Sequence, residues 1–421
     1  MEALLIEGEA KLRGRVEISG SKNTALPLLF GSLLFDKTVT YENVPRLWDI
    51  ETTLKLLAEM GCETNWEKEK GTVSILPAVK DKTASYEWVK RMRAGVLALG
   101  PLVAKYGEAK VSLPGGCAIG ARPVNYHLEA MKKMGVSVEV DGGYILARVS
   151  KRLLGAEILF PAVTVTGTEN LLYLGAVAEG RTVLENVARE PEVVALGEWL
   201  QLAGAKISGL GTSRIVIEGG ALRPTGAVTV PPDRIEAGTW LAIAMATESD
   251  LVLDCIDADK MASVLDVYRR IGLRMEIEND GRSLRVSPGG AYSPIDLQTQ
   301  PYPGFPTDMQ AQVLTNLCQV SGKSVVRENI FENRFMHVAE LRRLGAKIAV
   351  DGNVAVVEGK ADFVGAPIMA TDLRASACLV VAALYAKGQT KISRIYHLDR
   401  GYQRLDEKLL QLGARIKRIS E

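Results

Sequence analysis

No sign of charge dominates this sequence: 51 lysines and arginines face 50 aspartates and glutamates, a formal net charge of +1 over 421 residues. That balance argues against a nucleic-acid protein or a polybasic membrane binder, so any cationic site must be local. Histidine is scarce, and His127, His337 and His397 stand at no metal-ligand spacing. The five cysteines (Cys62, Cys117, Cys255, Cys318, Cys378) are odd in number, scattered and without a C-x-x-C pair, which suits reduced thiols better than disulfides or zinc. No apolar run approaches the ~20 residues of a membrane span. The first twenty residues are too charged for a signal peptide. No Pro/Ser-rich linker divides the chain, although 219–232 contains prolines and glycines and is a candidate boundary. What these absences leave is a soluble, cytoplasmic protein whose 47% hydrophobic content can bury a large core.

What is present is repetition. An amphipathic helix, a glycine and a short strand follow one another six times, at Gly61, Gly135, Gly204, Gly272, Gly345 and Gly413, spaced by 68 to 74 residues. Six such units span the chain, three on each side of 219–232, so two matching domains are expected. Each unit also holds a helix apolar on most sides, predicted at 24–34, 94–104, 171–178, 237–245, 311–317 and 375–385. Amphipathic helices are predicted at 50–60, 124–134, 338–344 and 405–412, with short strands such as 16–19, 111–113, 136–140 and 354–357. Alternating strands and helices define an α/β protein, and stacking one repeated unit buries a continuous core.

The polar residues gather at helix starts. Five of the six amphipathic helices carry arginine within a few residues of the expected N-terminus, among them Arg122, Arg334 and Arg400. The apolar helices open on Ser21-Lys22-Asn23, Arg91-Met92-Arg93, Asp233-Arg234, Thr307-Asp308 and Thr371-Asp372-Leu373-Arg374. Helix N-termini present free N–H groups and the positive dipole end, and arginine matches carboxylate or phosphate oxygens in pairs, so these starts suit anions. The plainer alternative makes Asp and Ser there N-caps and the arginines surface or ion-pair residues. The sharpest local signal is 113–123, where Gly115, Gly116 and Gly120 surround Cys117 and Arg122 follows. A nearby arginine and a helix start favour thiolate. Cys62, Cys255, Cys318 and Cys378 sit in or beside apolar stretches and are expected to be small buried hydrophobes. His127 and His337, early in amphipathic helices, are expected in solvated or core-edge positions. Ser321-Gly322-Lys323-Ser324 resembles the end of a P-loop, but Leu317 occupies the place of the earlier glycine.

Ser19-Gly20-Ser21-Lys22-Asn23, the Cys117 loop, Phe305-Pro306-Thr307-Asp308-Met309-Gln310, Phe331-Glu332-Asn333-Arg334-Phe335-Met336 and Thr371-Asp372-Leu373-Arg374-Ala375-Ser376 together resemble one family. They are similar to the UDP-N-acetylglucosamine enolpyruvyl transferases (1-carboxyvinyltransferases), over the chain from Leu5 to Ile416. The relatives that act on shikimate 3-phosphate share the repeat fold but differ in the Cys117 loop. The resemblance implies an inside-out α/β barrel of two domains, residues 22–231 and residues 1–21 with 232–421, three repeats in each and the active site in the cleft between them. It implies phosphoenolpyruvate and UDP-N-acetylglucosamine as substrates, release of phosphate, no metal or other cofactor, and a Cys117 lid that fosfomycin alkylates.

The residues accommodate that chemistry. A cationic clamp for phosphoenolpyruvate is available from Lys22, Arg122 and Arg400, with Arg93 and Arg374 as further candidates. The acid for C3 is Cys117 or Lys22, and the thiol could equally add covalently. Asp308 is the candidate base for the sugar hydroxyl, unless it only caps the helix that follows, and Asn23 holds the sugar or the intermediate. By resemblance Asn23, Arg93, Arg122, Pro123, Val124, Thr164, Val165, Asp308, Ile330 and Arg334 contact the nucleotide sugar. Two departures fall in the nucleotide region: Asn125 stands where aspartate is usual, and Thr164-Val165-Thr166-Gly167-Thr168 replaces Ser-Val-Gly-Ala-Thr. A shikimate-type transferase and a non-catalytic binding paralogue are the alternatives.

Overall fold

A computed structural model describes residues 2–114 and 124–420 and divides them into two compact units. One comprises residues 20–114 and 124–231, the other residues 2–19 and 232–420. Among the described residues there are six four-stranded sheets, three per unit, and all six share one strand order. The sheet of Glu157–Leu159, Arg181–Glu185, Lys206–Ser208 and Arg214–Glu218 shows the pattern. Its first two strands pair in parallel, and the remaining pairs are antiparallel. Parallel neighbours need a long crossover, and helix Val165–Val177 supplies it. Helix Pro191–Leu202 then leads into the closing hairpin. The repeat is therefore βαβαββ. The strand Glu2–Glu7 completes the sixth sheet by pairing with Gln389–Ser393 and Ile416–Ser420.

The six glycines found by spacing all adopt positive φ, from +88° to +112°. Each follows an amphipathic helix directly or after one residue, in the left-handed conformation that ends a helix without a Cβ penalty. The P-loop-like 321–324 run instead opens an ordinary strand, Gly322–Arg327.

The apolar helices form the cores. In one unit these are Lys22–Gly31, Leu99–Tyr106 and Val165–Val177; in the other, Arg234–Ala246, Gln310–Leu317 and Leu373–Tyr385. Trp240, Leu241, Ala244 and Leu379–Leu384 are essentially inaccessible to solvent, and each fully buried leucine contributes about 1.5–3 kcal/mol. Close approach accounts for glycine at 100, where a Cβ would lie 2.7 Å from Asn170 Oδ1 and 2.8 Å from the Tyr173 ring. Asn170 in turn accepts the Gly100 N–H at 2.7 Å and donates to the Val96 carbonyl at 3.4 Å. Asn316 does the same work in the other unit, donating to the Ala242 carbonyl and accepting from Tyr268, both at 3.0 Å.

Two of the expected apolar helices start differently: residues 93–98 form a 3₁₀ turn ahead of the α-helix that begins at Leu99, and the helix expected from 171 begins at Val165. The helix expected at 311–317 is present as Gln310–Leu317, behind the 3₁₀ turn Thr307–Met309. Cys62, Cys318 and Cys378 are buried as expected, but Cys255 is exposed at the end of a strand, with φ of +57°. No helix among the described residues is long and apolar enough to cross a membrane.

Replacing Gly272 tests the repeat-ending conformation. At φ of +112°, with a Cβ only 2.6 Å from the Ala291 carbonyl oxygen, Gly272→Ala is strained twice over. The expected loss is about 1–3 kcal/mol in urea unfolding. Gly142→Ala, where nothing lies within 4 Å of the added Cβ, is expected to cost less.

Candidate active site

In the unit of residues 2–19 and 232–420, the first turns of the three apolar helices meet in one charge cluster. Asp233 caps Arg234–Ala246, accepting the N–H groups of Ile235 at 2.8 Å and Glu236 at 3.4 Å. Asp372 caps Leu373–Tyr385 in the same way, at 2.9 and 3.0 Å, and so sets Arg374 in the first turn. Arg374 is 3% exposed. Its Nε donates to Asp308 Oδ2 at 3.2 Å, its terminal nitrogen lies 3.9 Å from Asp233 Oδ2, and its plane faces the Tyr402 ring at 5.3 Å. Burial alone opposes its charge, but Tyr402, Asp308 and Asp233 together outweigh that and raise its pKa.

Asp308 does not cap its helix. Pro306 precedes the 3₁₀ turn Thr307–Met309, Met309 precedes the α-helix, and neither start has a side-chain cap. The 3₁₀ turn presents the carboxylate sideways to two guanidiniums: Arg374 on Oδ2 and Arg334 on Oδ1 at 2.8 Å. Arg334, 5% exposed, also donates to Thr307 Oγ1 at 2.8 Å. Behind it Glu328 collects four donors: the hydroxyls of Thr299 and Thr307, both at 2.9 Å, and the N–H groups of Ile330 and Phe331 at 2.9 and 3.2 Å. Ile330 is thus held through its backbone. Arg400, half-buried, follows the short helix Tyr396–Asp399 close enough to His397 to act on its charge.

The unit of residues 20–231 holds a second group. Ser21 caps Lys22–Gly31 through the Thr24 N–H, so Lys22 and Asn23 are its first two residues. Lys22, 8% exposed, donates to Asp49 Oδ2 at 3.2 Å, and Asp49 lies in the first turn of Trp48–Glu59. A buried ammonium of this kind needs its counter-charge, because removing one partner leaves an uncompensated charge. Arg93 opens its 3₁₀ turn, Val124 immediately precedes helix Asn125–Lys133, and Thr164 caps Val165–Val177 by accepting the Gly167 N–H at 3.2 Å. His127 ties them together, with Nε2 at 3.5 Å from Thr164 Oγ1 and 3.4 Å from Thr166 Oγ1, and with the Arg93 charge acting on it. Thr166, one of the departures from the family pattern, therefore has a partner within the fold. Cys117, Arg122 and Pro123 lie outside the described residues.

The expectation for two histidines is corrected. His127 and His337 are not solvated or at a core edge: each is 1% exposed. Burial drives His127 down to about 3, helped by Arg93. Burial also lowers His337 to about 4, with Arg334 assisting against Asp372. His397 falls to about 4 through burial and the charges of Arg394 and Arg400. Glu169 moves the other way, well above the usual carboxyl range, through burial and then the nearby Glu192 and Glu190. Sequence reading did not single out Glu328 or Glu169. Glu328 takes the nearby N–H groups of Ile330 and Phe331, but only tertiary packing brings it Thr299 and Thr307. Only packing sets Glu169 near Glu190 and Glu192. Asp49 stands in the helix start Pro45-Arg46-Leu47-Trp48-Asp49 and Asp233 in Asp233-Arg234, and both could have been read there as counter-charges.

The matching family is described as EPSP synthase (3-phosphoshikimate 1-carboxyvinyltransferase), and it covers residues 6–409. In structure the chain is similar to the enolpyruvyl transferase NikO of Streptomyces tendae, with a TM-score of 0.88, 25% identity, and coverage of 100% of this chain and 99% of that one. EPSP synthase from Acinetobacter baumannii shares the fold at a TM-score of 0.77 and 18% identity, over the full length of both chains. The chain belongs to the enolpyruvyl transferase family. Its similarity reaches further, to proteins named UDP-N-acetylglucosamine 1-carboxyvinyltransferase. That of Nitratidesulfovibrio vulgaris (Hildenborough) is 52% identical over 421 residues, and that of Hydrogenovibrio crunogenus is 50% identical over 420, each covering 100% of both chains.

The neutral histidines set an acid limit on stability. The unfolded chain binds protons at histidine below about pH 6.5, while the folded chain refuses them until about pH 4 or lower. Stability is therefore expected to fall as pH drops from about 6.5 toward 4, by a few kcal/mol from His127 and His337 together. Urea midpoints across that range measure it, and NMR titration should find no imidazole charging above about pH 5.

Proposed function

We propose that the chain transfers the enolpyruvyl group of phosphoenolpyruvate to the 3′-hydroxyl of UDP-N-acetylglucosamine and releases phosphate. The observation that carries this reading is the full-length identity of 50–52% to proteins named for that carboxyvinyl transfer. The cluster of Asp308 between Arg334 and Arg374, and the buried Lys22 of the other unit, are the kind of charged groups the reaction needs.

In the reaction the acceptor oxygen bonds to C2 of phosphoenolpyruvate while C3 gains a proton, giving a tetrahedral adduct. Loss of a proton from C3 and of phosphate from C2 then restores the double bond. Asp308 takes the acceptor hydroxyl proton, its carboxylate oriented by Arg334 on Oδ1 and Arg374 on Oδ2. Lys22, Arg93, Arg122, Arg374 and Arg400 hold the phosphate and carboxylate of phosphoenolpyruvate, where fixed cations offset the developing charge. Cys117 or Lys22 protonates C3. Asn23 holds the sugar or the adduct. Arg122, Pro123, Val124, Thr164, Val165, Ile330 and Arg334 line the nucleotide sugar, and no metal or cofactor takes part. In this reading the product feeds peptidoglycan synthesis in the cytoplasm, and Cys117 is the residue that fosfomycin alkylates.

Phosphate release from phosphoenolpyruvate is the direct test, with UDP-N-acetylglucosamine or shikimate 3-phosphate as acceptor. Release with the sugar nucleotide alone supports the reading; release with shikimate 3-phosphate alone assigns the other acceptor. Asp308→Ala is expected to lower kcat by about 10²–10⁴-fold, the usual contribution of a positioned base, and near-normal turnover in that variant removes Asp308 from the role. Cys117→Asp is expected to keep part of the activity, because a carboxyl can donate a proton, and to resist fosfomycin. Continued sensitivity of that variant would move the drug target elsewhere.

A further inference from the structure

Within the unit of residues 2–19 and 232–420, a cavity of about 340 Å³ lies between helix Ala262–Ile271 and the strands Leu297–Gln298 and Gly322–Arg327. It contains none of the residues assigned above to substrate. Its walls are of two kinds. Val267, Leu297 and Phe305, each at most 6% exposed, make an apolar floor. Around them stand two cations, Arg270 and Arg327, and two anions, Asp266 and Asp296.

These charges are only loosely committed to one another. Arg270 reaches Asp266 at 4.0 Å and otherwise donates to the Asp296 backbone carbonyl at 3.3 Å. Asp296 accepts the Val325 N–H at 3.0 Å and pairs with no cation among the described residues. The Arg327 side chain has no hydrogen bond or ion pair among the described residues. The volume is at the small end of ligand pockets, roughly 300–1,000 Å³, and too small for a nucleotide sugar.

We propose that this cavity binds a small zwitterion, a free α-amino acid with an apolar side chain. The carboxylate pairs with Arg327 and Arg270, the ammonium with Asp266 and Asp296, and the side chain covers Val267, Leu297 and Phe305. All four charged side chains are exposed and solvated, so what selects the ligand is complementarity. A ligand carrying both signs matches the arginines and the aspartates, and a simple anion or cation matches only one pair. The position matters as well. Gln298 and Arg327 directly precede Thr299 and Glu328, and Phe305 stands two residues before Thr307, so an occupant touches the neighbours of the network that holds Arg334 and Asp308.

Calorimetric titration of the full chain with L-leucine and L-phenylalanine tests this without reference to turnover. The expected result is saturable binding in the micromolar to millimolar range. 4-Methylpentanoate, which lacks the ammonium, and 3-methylbutylamine, which lacks the carboxylate, should each bind at least about tenfold more weakly than L-leucine. Arg327→Ala removes an exposed, unpaired side chain and should leave the thermal midpoint unchanged while weakening L-leucine by about tenfold. The proposal is overturned by no saturable heat with either amino acid, by analogues that bind as well as L-leucine, or by undiminished binding to Arg327→Ala.

Discussion

Burying a helix end for end carries a constraint that shapes this protein: the free N–H groups of its first turn must find acceptors. Ser21, Thr164, Asp233 and Asp372 provide them at four of the apolar helices. Once each repeat must place polar groups at the same point, those groups are brought together wherever the helices pack side by side. The cluster of Asp233, Asp308, Arg334 and Arg374 follows directly from that packing. The cores that hold the fold thus also hold the charges.

The architecture was legible because its signals are local and repeated. Gly61, Gly135, Gly204, Gly272, Gly345 and Gly413 each mark a left-handed turn that side chains resist. The apolar helices showed as runs without a polar face, and Asp233 and Asp372 read as caps. Asp308 was ambiguous for a physical reason: an aspartate just before a helix reads as a cap, and only the 3₁₀ turn, which depends on tertiary packing, frees its carboxylate for the arginines. Glu328 was illegible because two of its four donors, Thr299 and Thr307, come from distant stretches of chain. Cys255 looked like its buried counterparts because a strand end and a strand interior share composition. Amphipathic spacing could not say that His127 and His337 sit on the buried face, where the cost of burying charge keeps both neutral.

Electrostatics divide the titratable groups by what they can be given. Arginine cannot surrender its proton, so Arg334 and Arg374 are buried with carboxylates beside them. Histidine can, and all three histidines resolve burial by staying neutral. Glu169 resolves it by keeping its proton. Near neutral pH Arg374 therefore stays charged and His337 stays neutral.

The strand Glu2–Glu7 has a consequence for how the chain is made. It lies between Gln389–Ser393 and Ile416–Ser420, both of which leave the ribosome about 400 residues after it. At roughly 5–20 residues per second, this strand waits on the order of tens of seconds with both edges unpaired. The unit of residues 20–231 has no such delay, since all three of its sheets draw on its own strands. Synthesis therefore completes one unit while the strand Glu2–Glu7 of the other still lacks both its partners. Glu2 and Glu7 place an exposed charge at each end of the waiting segment, of the kind that disfavours edge pairing with another chain.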